Sequence, residues 1–344
     1  MSKVKAFLKR KNIEISAKRY GIDALSAMAQ GLFCSLLIGT IIKTLGAQLH
    51  VQLLIDVGTY AMSVSGPAMA VAIGYALKAD AMVLFSLAAV GWAANAEGGA
   101  GGPLAVLIIA IVAAECGKAV SKETKIDILV TPAVTILVGV VLAKWIAPPI
   151  GVAAGAFGKL IQTAMALQPF WMGIAVSVLV GIALTLPISS AAICQVLFLT
   201  GLAGGAAVAG CCANMVGFAV LSFRENRWGG LVAQGLGTSM LQMGNICRHP
   251  QIWIPPTLAS AICGPLATMV FKLECTGVSA GMGTCGMVGP LGILTDMGST
   301  AQMWIGTLVC CIVLPAVLSL LFSEIMRRVG WIKPGDMALE HDNA

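Results

Sequence analysis

Asn95-Ala-Glu97-Gly98-Gly99-Ala-Gly101-Gly102-Pro103 and Glu274-Cys-Thr276-Gly-Val-Ser279-Ala-Gly281-Met-Gly283-Thr284-Cys285-Gly286 each set a carboxylate among clustered glycines, within otherwise apolar sequence. Glycine frees the backbone from regular helix. At bilayer depth, non-helical backbone is tolerated only where it packs in protein or lines a water-filled cavity. An acid there costs several kcal/mol, so it needs a function or a partner to stay. The two stretches therefore read as broken, binding-type segments of a membrane protein.

The composition places the chain in the bilayer. Of 344 residues, 58% are hydrophobic and 10% charged, against roughly 25% charged in soluble domains, and the mean hydropathy is +0.92. The net charge of +6 does not point to nucleic acid, because the basic residues gather before the first apolar run and in short segments between runs. Lys3, Lys5, Lys9, Arg10, Lys11, Lys18 and Arg19 precede that run, and Lys118/Lys122/Lys125, Arg224/Arg227 and Arg327/Arg328/Lys333 follow. By the positive-inside rule these segments, and both termini, are expected in the cytoplasm of an inner (plasma) membrane protein. No signal-peptide pattern is present. The eleven cysteines include adjacent pairs and no CxxC, so buried thiols acting as small apolar residues are expected, with no metal and no cofactor.

Apolar runs at about 24–44, 51–76, 80–96, 103–117, 127–147, 150–166, 170–188, 191–221, 229–246, 252–272 and 301–325 predict an all-α, polytopic transmembrane helical bundle. A crossing needs about 20 apolar residues, which suggests about eight to ten full spans. The pieces near 95–103, 185–191 and 274–292 are too broken to span and read as re-entrant. Gly-Pro-Leu recurs at 102–104, 264–266 and 289–291, consistent with an inverted repeat or with chance in a glycine-rich chain. The expected organisation is a basic leader over 1–20, amphipathic or simply solvated, one transmembrane domain over 21–326 and a short tail over 327–344.

Catalytic templates give little: there is no GxxxxGK[ST] and no HExxH, and the histidines are His50, His249 and His341. What remains is a polar set suited to a hydroxyl-rich solute: Asn95, Glu97, Gln242, Asn245, His249, Glu274, Thr276, Ser279 and Thr284. Carboxylates and amides accept or share several hydroxyl hydrogen bonds. Gly98, Gly99, Gly101, Gly102, Gly281, Gly283 and Gly286 would supply adaptable backbone. Each residue has a structural alternative. Glu97 and Glu274 could pair with Lys144 or Lys272, His249 could be a loop residue, and Gln242 and Asn245, three apart on one helix face, could be interhelical glue.

Thr238-Ser-Met-Leu-Gln242-Met-Gly-Asn245, Trp253-Ile-Pro-Pro256-Thr-Leu-Ala-Ser-Ala-Ile-Cys-Gly-Pro265 and Gly281-Met-Gly-Thr-Cys-Gly286 resemble the membrane IIC components of the bacterial phosphotransferase system. Within that family they resemble the branch that includes the toxin regulator PfoR, and Asn95–Pro103 and Leu186–Ser190 match further family segments. The resemblance implies a homodimeric sugar permease that presents its solute to a separate cytoplasmic IIB protein, which is phosphorylated through IIA. The chain departs from the family pattern at Cys285, where Ser is expected, and at Glu274-Cys275, where amide-type residues are expected. A membrane sensor that keeps the fold, or an ion-coupled transporter, are the alternatives.

Overall fold

The computed structural model describes residues 3–339, with side chains from Lys5 onward; the ends of the expected leader and tail, including His341, lie outside the described residues. Helix dominates and no strand occurs among the described residues, as expected where lipid offers the backbone no hydrogen-bond partner. In chain order the helices are α1 (Lys3–Arg10), α2 (Arg19–Leu49), α3 (Gln52–Ser63), α4 (Ser65–Ala76), α5 (Ala81–Gly98), α6 (Gly102–Val120) and α7 (Asp127–Met165). Then follow α8 (Pro169–Thr185), α9 (Ser190–Val196), α10 (Gly201–Leu221), α11 (Phe223–Val232), α12 (Met243–Arg248), α13 (Ile254–Pro265), α14 (Val288–Met297) and α15 (Ala301–Arg328). Wide π turns interrupt α2 at Phe33–Leu37 and α15 at Val309–Val313.

By length and hydropathy alone, six described helices could cross a membrane, or seven if α3 and α4, bent by 50°, form one span. That is fewer than the eight to ten expected. Part of the difference is that Ala81–Val120, unbroken by that measure, is a hairpin. Its two ends meet where Ser121 Oγ donates to Asp80 Oδ2 at 2.8 Å, and a Cβ on Gly117 would lie 3.0 Å from Val83 Cγ1. The rest are the short apolar helices Pro169–Thr185 and Cys285–Met297.

One expectation needs correction. The apolar run was expected to break between 147 and 150, but α7 continues through Pro148 and Pro149 for 39 residues. Each proline removes one helix hydrogen bond. Lipid-embedded helices tolerate this when neighbours satisfy the freed carbonyls.

The chain divides into two compact units, Met1–Gly39 with Val57–Ala153 and Thr40–Asp56 with Ala154–Ala344. In the first, small residues bring backbones together: a Cβ on Gly31 would lie 2.6 Å from Ala68 O, and Gly66 and Gly91 each pack on the other's carbonyl. Met69, Ile73, Leu87 and Ile109 fill the space between. In the second, α10 is the core helix, flanked by α8 and α13. Gly210 packs on Ser177 O and Gly264 on Gly173 O. Asn214, fully buried, ties this crossing together: Trp253 Nε1 donates to its Oδ1 at 3.1 Å, while its Nδ2 donates to Ser260 Oγ at 3.1 Å and Gly210 O at 3.2 Å. Eight of the eleven cysteines are buried, the adjacent pairs among them, and all are free thiols, as expected of small apolar core residues.

Candidate functional site

Both glycine-rich stretches interrupt helix, each inside its own unit. In the first unit, Gly98–Gly102 is the tip of the α5–α6 hairpin. Gly99 adopts φ +50°, ψ −122°, a conformation open to glycine and costly for other residues. The tip rests on α7, with a Cβ on Gly101 2.8 Å from Ile150 O and one on Gly151 2.8 Å from Gly98 O. Glu97 here takes its structural alternative, since Lys144 Nζ lies 2.5 Å from its Oε1. Asn95 lies one helical turn inward. Its Oδ1 would sit 2.5 Å from a Cβ on Gly102, so a larger residue there would push the Asn95 side chain aside.

In the second unit, α13 ends in a π turn at Leu266–Val270 and the chain turns extended through Leu273–Thr276. Leu273 and Cys275 are buried while Glu274 and Thr276 are exposed. The alternation arises because this segment lies across the start of α10: Gly205 and Gly204 pack on Leu273 O and Cys275 O, where a Cβ would overlap either carbonyl. Two antiparallel backbone bonds, Cys275 N to Gly201 O at 3.3 Å and Gly277 N to Leu199 O at 2.8 Å, fix it. The break at Leu186–Ser189 meets the same loop, for Ser190 Oγ donates to Gly281 O at 2.7 Å. Gly283, at φ +56°, passes against Cys211, and Gly286, at φ +51°, against Ile41.

The structure sorts the expected residues of this unit into two groups. Glu274, Thr276 and Ser279 lie on the loop. Glu274 carries an exposed carboxylate with no ion pair among the described residues. Thr284, by contrast, is buried and donates to Gly235 O at 2.5 Å. Gln242 and Asn245 share a face, with Asn245 Nδ2 donating to Gln242 Oε1 at 2.8 Å, but both are committed elsewhere. Gln242 Nε2 donates to Met337 O at 3.0 Å and Asn245 Nδ2 to Ala338 O at 2.9 Å. His249 Nε2 lies 3.6 Å from Asp336 Oδ1. These three residues hold the C-terminal segment, through partners about ninety positions away that local spacing does not reveal. Asn214 was not among the expected residues, although a lone amide in a 21-residue apolar helix was a usable signal.

A basic cluster closes the other end of the first unit. Arg10, Lys11, Lys78, Lys118 and Lys122 surround a cavity of about 300 Å³ together with Asp80 and Glu123. Glu123 binds Arg10 at 2.6 Å and Lys11 at 2.5 Å, and Lys118 Nζ donates to Asn12 O at 2.8 Å, which docks the leader. The hydrogen bond from Lys122, aided by Ser121, holds the Asp80 carboxyl below the usual range; the bond from Lys11 does the same for Glu123.

The described residues form a helical membrane bundle with two broken glycine-rich segments. No curated protein matches the chain. The family model described as "Phosphotransferase system, EIIC" matches residues 22–339. The chain belongs to the phosphotransferase system EIIC family, the membrane permease components of that system.

Proposed function

We propose that this EIIC protein binds a sugar or similar polyhydroxylated solute in the bacterial inner membrane and presents it for phosphorylation by a separate IIB protein, itself recharged through IIA. The supporting observation is the 274–279 segment, where Glu274 and Thr276 stand on extended backbone fixed from behind by α10 and Ser279 on the 3-10 turn that follows. Such a segment offers acceptors and a hydroxyl set to a solute, while rigid packing preorganises it. Asn95 and Glu97, at the hairpin tip of the first unit, form a second polar patch of the same chemistry. Thr284, Gln242, Asn245 and His249 act through position, holding the loop or the tail. The basic segments, Arg10 to Lys122 among them, face the cytoplasm in this reading and are available to the IIB partner, with both termini on the same side and the protein assembled as a homodimer.

The test is a thermal-shift screen of purified protein against sugars, polyols, amino acids and their phosphates, repeated on Glu274→Gln. A ligand binding only the folded state at 100 times its Kd stabilises by about 2.7 kcal/mol. The expected result is a stabilising sugar or polyol whose effect is lost in the variant. Stabilisation by amino acids alone would overturn the sugar assignment. A sugar that stabilises the variant as well as the parent would remove Glu274 from the site.

A further inference from the structure

Asn226, Gln242 and Asn245, side-chain amides outside the spanning helices, converge on one short stretch of main chain, the last two backed by Gln234. They are linked in series: Gln234 Nε2 donates to Ser222 Oγ at 2.7 Å, Gln242 Nε2 to Gln234 Oε1 at 3.0 Å and Asn245 Nδ2 to Gln242 Oε1 at 2.8 Å. The series ends on the C-terminal segment. Met337 O accepts from Gln242 and also from Asn226 Nδ2 at 2.8 Å, Ala338 O accepts from Asn245, and Leu339 N donates to Asn226 Oδ1 at 2.8 Å. Recognition is thus of peptide backbone, two carbonyls and one amide, with the fully buried Met337 side chain as the single apolar anchor. Buried amides that lose such partners are left unsatisfied, so the cleft demands an occupant with this donor and acceptor pattern.

A second observation lies beside it. Arg227, immediately after Asn226, has φ +52° and ψ −148°, a region that is essentially glycine-only. Strain of this kind persists where surrounding contacts over-determine the backbone. Here the contacts are the two hydrogen bonds that Asn226 makes to the tail, and the buried ion pair between Glu225 and Arg327 at 3.0 Å, whose Glu225 Oε2 has no hydrogen-bond partner. The tail reaches the cleft over an exposed turn, Lys333-Pro334-Gly335, with Gly335 at φ +94° and Asp336 N bonded to Lys333 O at 3.2 Å.

We propose that the amide-lined cleft is a peptide-binding site whose ligand is the chain's own Asp336–Leu339, and that the bound segment is a releasable latch holding the strained turn at Arg227. Release of the latch lets that turn relax and frees the segment from Phe223 to Thr238. This segment includes Gly235, whose carbonyl takes the Thr284 hydroxyl, so the segment held by the latch and the 274–286 loop share a hydrogen bond. The proposal stands apart from the identity of any solute.

Hydrogen–deuterium exchange on the full-length protein tests it. Asn226→Ala should raise exchange at the Leu339 amide and across 223–238 together, each by about tenfold or more. Arg227→Gly, which removes the strain and keeps every contact of Asn226, should lower exchange across both. A tail that loosens in Asn226→Ala while 223–238 keeps its parental exchange would overturn the latch. So would an Arg227→Gly protein in which neither region slows. As a check independent of Asn226, a protein ending at Gly335 should bind a synthetic peptide of residues 333–344 and regain protection over 223–238. A peptide carrying Met337→Asp should not restore it, and equal rescue by both peptides would refute the site.

Discussion

Replacing Asn214 by alanine removes the amide that joins α10 to α13 and to Trp253 just before it. Three hydrogen bonds are lost, to Trp253, Ser260 and Gly210. Interhelical hydrogen bonds in membrane proteins average about 0.6 kcal/mol each, which gives about 1.2 kcal/mol for the two to Trp253 and Ser260, the Gly210 bond lying within α10. The vacated space adds a further ~1 kcal/mol, because Gly210 and Gly181 hold backbone on both sides and leave little room to collapse. The expected loss is therefore about 2 kcal/mol, read from reversible unfolding in a detergent series. Asn214→Asp separates hydrogen bonding from size. It keeps the acceptor for Trp253 but turns an acceptor toward Gly210 O, and a buried acid at a helix centre costs about 3 kcal/mol. It should be worse than alanine despite its closer shape. Ser260→Ala leaves Asn214 its bonds to Trp253 and Gly210 O, so it should cost less, and the double variant should fall short of the sum by about 0.5 kcal/mol or more. Alanine within 0.5 kcal/mol of the parent, or aspartate as stable as asparagine, would refute the account.

Two further outcomes follow from the first unit. Gly99→Ala meets no atom within 4 Å, so its cost is purely conformational, about 1–2 kcal/mol from φ +50°; a neutral substitution in the same unfolding assay would show that the hairpin tip adopts another backbone. The Asp80 carboxyl is held low by Lys122, so its contribution to stability is present above the unfolded-state carboxylate pKa near 3.9 and is lost as pH falls through the lower folded value. Asp80→Asn should flatten the acid limb of stability between about pH 5 and pH 2, by well under 1 kcal/mol because the pair is solvent-exposed; an unchanged limb would remove Asp80 from that balance.

Much of this architecture was legible in the residues. Glycine clusters beside Glu97 and Glu274 marked the two helix breaks, because glycine's backbone freedom is local chemistry. The contact between Gln242 and Asn245 followed from their spacing. Their destination did not, since nothing local links them to Met337 and Ala338. Pro148 and Pro149 misled for a related reason: whether a proline ends a helix in lipid depends on what satisfies the freed carbonyls, and that is settled by neighbours distant in sequence. The exposed Glu274 and the ion-paired Glu97 likewise looked equivalent until their surroundings separated them.

The π turn at Val309–Val313 carries one residue more than an α turn needs. Each α-helical residue advances the face by about 100°, so the extra residue sets the phase of everything after it in α15. Deleting a single residue there would restore regular α-helix and swing Arg327 by about 100° away from Glu225, leaving a buried acid without its cation. The turn is thus a phase-setting insertion: one residue at mid-helix decides which way a guanidinium points almost four turns later.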